Sequence, residues 1–435
     1  LLPASCPLPA GNWQSTVTDH RQPTIRVKPE FSLISAKLSI PGPRRSPWLV
    51  AAWAAWLLFA AALSIHAFLF PHVHTNYPCF EWGTKLWWAD RNMYSHQECP
   101  LDFRYGPLFT VALTPFTLLP TWLGGLLWNW LNLGLYFWAL RAVARRVLPC
   151  DWSGAREAGF LLLALLAASR MIWSAQSNPL IFAAVAAAAV AILDRRWWWA
   201  ALLLAAPVHI KVWPLAAALL LIACWPRQLG WRFAIAVLFL AAVPFAVKSP
   251  SIVWARYGDW YAAMTGPMLQ IRHEYRDAWT IWELVHPPVD LLAYLGLQLA
   301  TAGATLGLCL WQKRRTRSPE RLLTFVLAMW TIWQLVFGPG TERNTFGLIA
   351  PLTAWAVVTA FVQGRGRTYI LTTFLLMTVV ARGQVERALV DVFPAILAAH
   401  PLGVLLFAGW LIWHAAGWES RDADVLPAID YSAAA

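Results

Sequence analysis

The feature that most constrains this chain is a series of long apolar runs nearly free of charge. Stretches 49–70, 179–193, 231–247, 291–311 and 345–363 have this character. A helix rising ~1.5 Å per residue needs about this length to cross ~30 Å of hydrocarbon, and a shorter one needs protein neighbours. No water reaches that depth, so the backbone must satisfy itself, which leaves helices as the folding solution for such runs. The composition agrees: 59% of the residues are hydrophobic and 13% charged, with mean hydropathy +0.51. Soluble domains carry roughly a quarter charged residues. Thirty tryptophans suit a protein with many membrane–water interfaces.

The net charge of +12 would suit a nucleic-acid partner, but its distribution excludes that class. Basic residues sit in short clusters between apolar runs: Arg44–Arg45, Arg141/Arg145/Arg146, Arg195–Arg196, Arg227/Arg232, Lys313–Arg314–Arg315–Arg317 and Arg365/Arg367. That is the positive-inside pattern of a polytopic membrane protein. The expected organisation is a disordered or peripheral extension over 1–46, an integral membrane domain over 47–418 and a cytoplasmic tail over 419–435. The fold expected is all-α, with about 11–12 transmembrane helices.

With Arg44–Arg45 inside, span one covers about 48–70 and loop 72–106 lies outside. Segment 107–120 has fourteen residues and contains Pro115. It is short for a span and reads as a re-entrant or juxtamembrane helix. Further spans follow at 121–141, 157–176 and 179–193, then a tight hairpin over 197–225 with His209–Ile210–Lys211 at its outer tip. Spans at 231–247, 289–311, 321–337, 345–363, 368–381 and 402–417 complete the topology. His74, Arg104, Asn178, Lys211 and Glu342–Arg343 thereby fall on one outer face. Ionisable groups at or near membrane depth are costly and mark sites or pathways.

Several groups there have chemistry to offer. Arg104, where the first loop re-enters the membrane, can grip a phosphate bidentately, or can be an interface arginine reaching for headgroups. Lys211 lies in PVHIKVWPL, flanked by His209 and framed by Pro207 and Pro214, and reads as a phosphate ligand or a snorkelling lysine. Glu342–Arg343 sits in the turn GPGTERNT, which offers an arginine and backbone N–H groups to an anion; alternatively the pair neutralises itself. His72, His74, Glu81, Asp90, His96, Glu98 and Asp102 crowd the first outer loop, but no H-x-x-x-H or H-E-x-x-H spacing is present, so no metal is expected. Cys79 and Cys99, the two cysteines of that loop, could close it with a disulfide worth roughly 3 kcal/mol. No P-loop, G-x-G-x-x-G or G-x-S-x-G motif occurs. An activated substrate is therefore expected from the membrane itself, with no cofactor.

Three stretches resemble one known family. YGPLFTVALTPFTLLP (Tyr105–Pro120) resembles the Y-P-P-L-F…P-F-A-L-L-P signature of glycosyltransferase family 87. AQSNPLIFAAVAAAAVAIL (175–193) resembles its G-Q-x-N-x-L segment, and AAPVHIKVWPLAAALLLI (205–222) its A-x-x-x-K-x-x-P-L segment. Order and spacing agree over roughly residues 48–363. The resemblance implies a C-type glycosyltransferase that passes a sugar, mannose by family habit, from a polyprenyl-phosphate donor to a lipid or glycan acceptor. Transfer would be inverting, on the outer face of a bacterial inner membrane, facing the periplasm. Lys and Arg side chains would hold the donor phosphate (Arg104, Lys211, Arg343), and Tyr105, Asn178 and His209 would line the substrate site. An acid in the first outer loop would be the base. Relatives carry an Asp in a D-F-x-x-Y context; here the stretch reads His74–Thr75–Asn76–Tyr77–Pro78, with Asn76 at the aspartate position. Asparagine cannot be a base, so His74, Glu81 and Glu342 are the substitutes. A transporter or flippase for a lipid-linked sugar, and a non-catalytic family member, are the competing readings.

Overall fold

The computed structural model describes residues 46–95, 97, 103–265, 275–285, 288 and 290–418. The extension before Ser46, the tail 419–435, and Cys99, His96, Glu98 and Asp102 lie outside them. The described residues are predominantly helical, with one isolated β-bridge and no strand.

The first apolar run forms α1 (Pro47–Leu69), with a proline in its first turn where the missing N–H costs nothing. The loop after it is not a linker: Tyr77–Trp88 folds as α2. The fourteen-residue segment yields only the eleven-residue α3 (Pro107–Thr117). It is bent 119° from α4 (Thr121–Arg146), with the geometry expected of a re-entrant or juxtamembrane piece. Aromatic rings hold α2, α3 and α4 together. Phe80 is fully buried against Tyr105, Phe109 and Trp128, with ring centroids 4.8–5.7 Å apart. Tyr77 Oη donates to the carbonyl of Phe116 at 2.9 Å. A side chain at Gly124 would strike Tyr77 and the Phe116 carbonyl.

Next come α5 (Gly154–Trp173), α6 (Asn178–Leu193), α7 (Trp197–Ile210), α8 (Leu215–Cys224) and α9 (Pro226–Ala242), then α10 (Pro250–Thr265) and α11 (Ala278–Val285). The C-terminal half is built from α12 (Leu291–Arg315), α13 (Pro319–Val336), α14 (Ala350–Gln363), α15 (Arg367–Leu375), α16 (Gly383–Leu389) and α17 (Ala399–Ala416). Among the described residues, five helical stretches are long and apolar enough to cross a membrane, or up to seven if each bent pair counts as one span. The remaining spans expected from charge alternation map onto helices that are short, such as α6, α7 and α8, or that carry charge, such as α5 with Arg156, Glu157 and Arg170. Those helices are lined with buried side chains, so neighbouring helices complete them.

Burial sorts the candidate spans. The stretch Arg343–Gln363 is 89% buried and α12 only 11%. Both are apolar, but α14 is apolar on every side and sits in the core. The Leu292, Leu295 and Leu299 side chains of α12 are exposed, as on a surface that faces lipid. The chain is an integral membrane protein.

Candidate active site

A cavity of about 760 Å³ opens where several distant parts of the chain meet. Its wall carries Asn76 and Cys79 from the start of α2, Arg104 and Tyr105 from before α3, Gln176 from before α6, and Lys211 from the α7–α8 connection. Glu342 and Tyr275 close it from the other side.

Each polar group is held there by local structure. Helix α7 ends at Ile210, and Lys211 is fully extended (φ −140°, ψ 146°), which swings its side chain off the helix axis. Lys211 and Arg104 are the two cations lining the cavity among the described residues. Lys211 Nζ donates to Gln176 Oε1 at 3.4 Å and Asn178 Oδ1 at 3.3 Å, and lies 5.1 Å from the Tyr105 ring centroid. All three partners are neutral. Burial pulls the Lys211 ammonium below its usual range and nearby Arg104 pushes the same way, while Glu342 opposes them. Asn178 donates its amide to Thr345 Oγ1 at 3.5 Å, which aims its oxygen at the lysine.

Arg104 reaches the cavity because the backbone before α3 packs closely on the end of α7. Gly106 N donates to the Ile210 carbonyl at 3.4 Å, and a Cβ on Gly106 would lie 2.3 Å from the His209 carbonyl oxygen. Only glycine permits that approach. Arg104 Nη1 donates to Tyr275 Oη at 3.3 Å, and the Trp260 indole N–H to the Arg104 carbonyl at 3.3 Å.

The GPGTERNT turn brings in the carboxylate. Gly340 takes φ +64°, and a side chain there would lie 3.2 Å from the Tyr275 ring. Thr341 Oγ1 donates to the Gln334 carbonyl at 3.0 Å, and Arg276 N to the Thr341 carbonyl at 2.8 Å. Tyr275 and Glu342 form the isolated antiparallel bridge. Glu342 accepts from Gln176 Nε2 at 3.3 Å, so Gln176 links the lysine and the carboxylate. Among the described residues lining the cavity, Glu342 is the one carboxylate.

Arg104, Tyr105, Lys211 and Glu342 therefore meet in one cavity, with Asn178 one hydrogen bond behind. The other expected site residues stand elsewhere. Glu81 is buried, accepts from Lys85 Nζ at 2.6 Å and Thr121 Oγ1 at 3.1 Å, and does not line the cavity. His74 is exposed at φ 53° on the loop before α2, also off the cavity wall. His209 bonds the Val237 carbonyl at 3.1 Å and contributes its own backbone rather than its ring. Arg343 turns away from its neighbour Glu342 to pair with Glu386, so the two do not neutralise each other. Cys79 lines the cavity; its expected partner Cys99 is outside the described residues. No group of three metal-ligating side chains occurs among the described residues. Gln176, Tyr275 and Trp260 escaped the reading of the sequence. Gln176 had a signal, two residues before Asn178 in a polar break between apolar runs, whereas Tyr275 had none.

A search of curated proteins finds no match. The family model for glycosyltransferase family 87 matches residues 103–339, more than half of the chain. The matched region begins one residue before Arg104, contains Gln176, Asn178 and Lys211, and ends three residues before Glu342. On that match the chain belongs to glycosyltransferase family 87 and is a membrane glycosyltransferase.

Proposed function

We propose that the protein transfers a sugar, mannose in the first instance, from a polyprenyl-phosphate donor to a hydroxyl of a lipid or glycan acceptor. The reaction would run at the outer face of a bacterial inner membrane. The observation that carries this reading is the bonding of Lys211. A half-buried ammonium held by two neutral amide oxygens and a tyrosine ring, with no ion pair among the described residues, is left to meet an anionic ligand, and a lipid-linked phosphate is the anion a membrane supplies.

In this reading Lys211 and Arg104 bind the donor phosphate. Glu342 accepts the proton of the acceptor hydroxyl as its oxygen forms the new bond to the anomeric carbon. The bond from that carbon to the phosphate oxygen breaks, and the polyprenyl phosphate leaves with the electron pair. Lys211 and Arg104 stabilise the charge that grows on it in a pocket shielded from water. A single displacement inverts the anomeric centre. Gln176 orients both ends, since it touches Lys211 and Glu342. This reading prefers Glu342 to Glu81 and His74 as the base, since Glu342 lines the cavity and the other two do not.

The test supplies membranes bearing the protein with radiolabelled polyprenyl-phosphate mannose and extracted lipids and glycans. Transfer by wild type, lost in Lys211→Ala and Arg104→Ala, is the expected result. Unchanged transfer in both variants removes the phosphate assignment. No transfer from any polyprenyl-phosphate sugar, under conditions where a related transferase is active, removes the donor class.

A further inference from the structure

A second polar cluster lies on the far side of the Glu342–Arg343 turn. Arg170 at the end of α5, Arg343 and Arg382 line a small cavity of about 50 Å³, together with Asn344 and His400. Arg170 Nε donates to Asn344 Oδ1 at 2.8 Å. Glu386 is buried and bridges two arginines, accepting from Arg276 Nη2 at 2.5 Å and from Arg343 Nη2. Among the described residues cations outnumber carboxylates here: Arg170, Arg343 and Arg387 lie near Glu386, and the residues lining the cavity include Arg382 and no carboxylate.

Two further observations point to a missing anion. The Arg343 Nε is buried with no acceptor among the described residues. His400, 6% exposed, faces the cavity, lies tilted against the Phe346 ring at 4.4 Å between centroids and has no hydrogen bond among the described residues. Arginine donors around a space of this size have the chemistry that recognises a phosphate group. The surroundings choose between a free ion and a lipid headgroup. Leu166 and Met377 line the same cavity. Leu162 and Leu166, one turn apart on α5, and Val379 and Val380, just before Arg382, are exposed apolar side chains. An anion seated here has an apolar surface beside it, where acyl chains would lie.

We propose that this cavity binds the phosphate of an anionic phospholipid, separately from the donor cavity, with Arg170, Arg343 and Arg382 as its cations. Because Arg343 follows Glu342 in the chain, the lipid also braces the turn that carries Glu342. The proposal stands apart from the transfer reading, and its readout is lipid binding.

Full-length protein, delipidated in detergent, is titrated with phosphatidylglycerol, phosphatidylcholine or inorganic phosphate, and retained lipid is counted by native mass spectrometry. One phosphatidylglycerol held in preference to phosphatidylcholine is expected. Arg170→Gln and Arg382→Gln should each weaken it about 10- to 100-fold, the worth of a charge-assisted hydrogen bond. Arg196→Gln, an exposed arginine away from this cavity, should leave it unchanged. Arg382 has no ion pair among the described residues, so its variant should keep the fold even if others do not. Equal retention of phosphatidylcholine, or full retention in both arginine variants, overturns the proposal. Protection by inorganic phosphate with no retained phosphatidylglycerol overturns the lipid assignment and leaves a free-anion site.

Discussion

The turn at Glu342–Arg343 separates two clusters that differ in how they treat charge. On one side Lys211 donates to neutral amides and lies on a tyrosine ring, and among the described residues the Glu342 carboxylate accepts from the neutral amide of Gln176. On the other, Glu386 is buried between Arg276 and Arg343 in direct ion pairs. Two consecutive residues thus serve opposite purposes. An ion pair of this kind ties elements together and leaves Glu386 no capacity for chemistry. A charge solvated by dipoles remains available to a ligand. The lesson is that partners, not residue type, separate an ion-paired carboxylate from one held by neutral groups, and Glu81 with its Lys85 pair falls in the first class.

The sharpest way to break this contrast is Glu342→Gln. Removing a general base should lower transfer by roughly 10²–10⁴-fold while the thermal unfolding temperature stays within a degree or two of wild type. A loss below about tenfold would place the base elsewhere. Asn76 lines the same cavity, so Asn76→Asp in the Glu342→Gln background should recover part of the lost rate. Glu386→Gln should do the reverse. It strands two arginines and should cost about 3–5 kcal/mol of stability, read as a lowered unfolding temperature. Undiminished stability would erase the distinction.

Lys211→Met keeps the volume and removes the charge. A loss of about 10²–10³ in transfer is expected, with little change in unfolding. Gly106→Ala tests the backbone contact beneath the site. Its Cβ meets a carbonyl oxygen at 2.3 Å, so about 1–3 kcal/mol of destabilisation is expected, together with a raised KM as Arg104 and Tyr105 shift. The smallest effect concerns pH. A lysine is charged below its pKa, and that of Lys211 is lowered by burial and by Arg104. As pH rises, the site should therefore lose its cation before an ordinary lysine would. The KM for the donor should climb in mildly alkaline buffer, and this limb should vanish in Lys211→Arg, whose guanidinium stays charged.

Much of the site was legible because polar residues stand out in apolar sequence. Lys211 and Asn178 interrupt runs where any charge or amide needs a reason, and Arg104 marks the return of a loop to the membrane. The short segment with Pro115 announced itself as less than a span, and α3 is eleven residues long. His74, Glu81 and Glu342 were indistinguishable in the sequence as substitutes for the absent aspartate. Sequence spacing could not show that Thr121 and Lys85 occupy Glu81, or that Glu342 meets Gln176 across 166 positions. Tyr275 carried no signal, because its role comes from a bridge to a turn far along the chain.

Hydrophobicity along the chain determined that this protein is helical and embedded in a membrane, since the cost of unsatisfied backbone in hydrocarbon leaves no other fold for such runs. The order of three motifs determined its family. Which helices face lipid and which fill the core was left to the tertiary structure, because α12 and α14 are both apolar and differ only in what surrounds them. The choice among the acidic residues was left to it as well. A carboxylate's capacity to act depends on the groups that three-dimensional packing sets against it, and those come from distant parts of the chain.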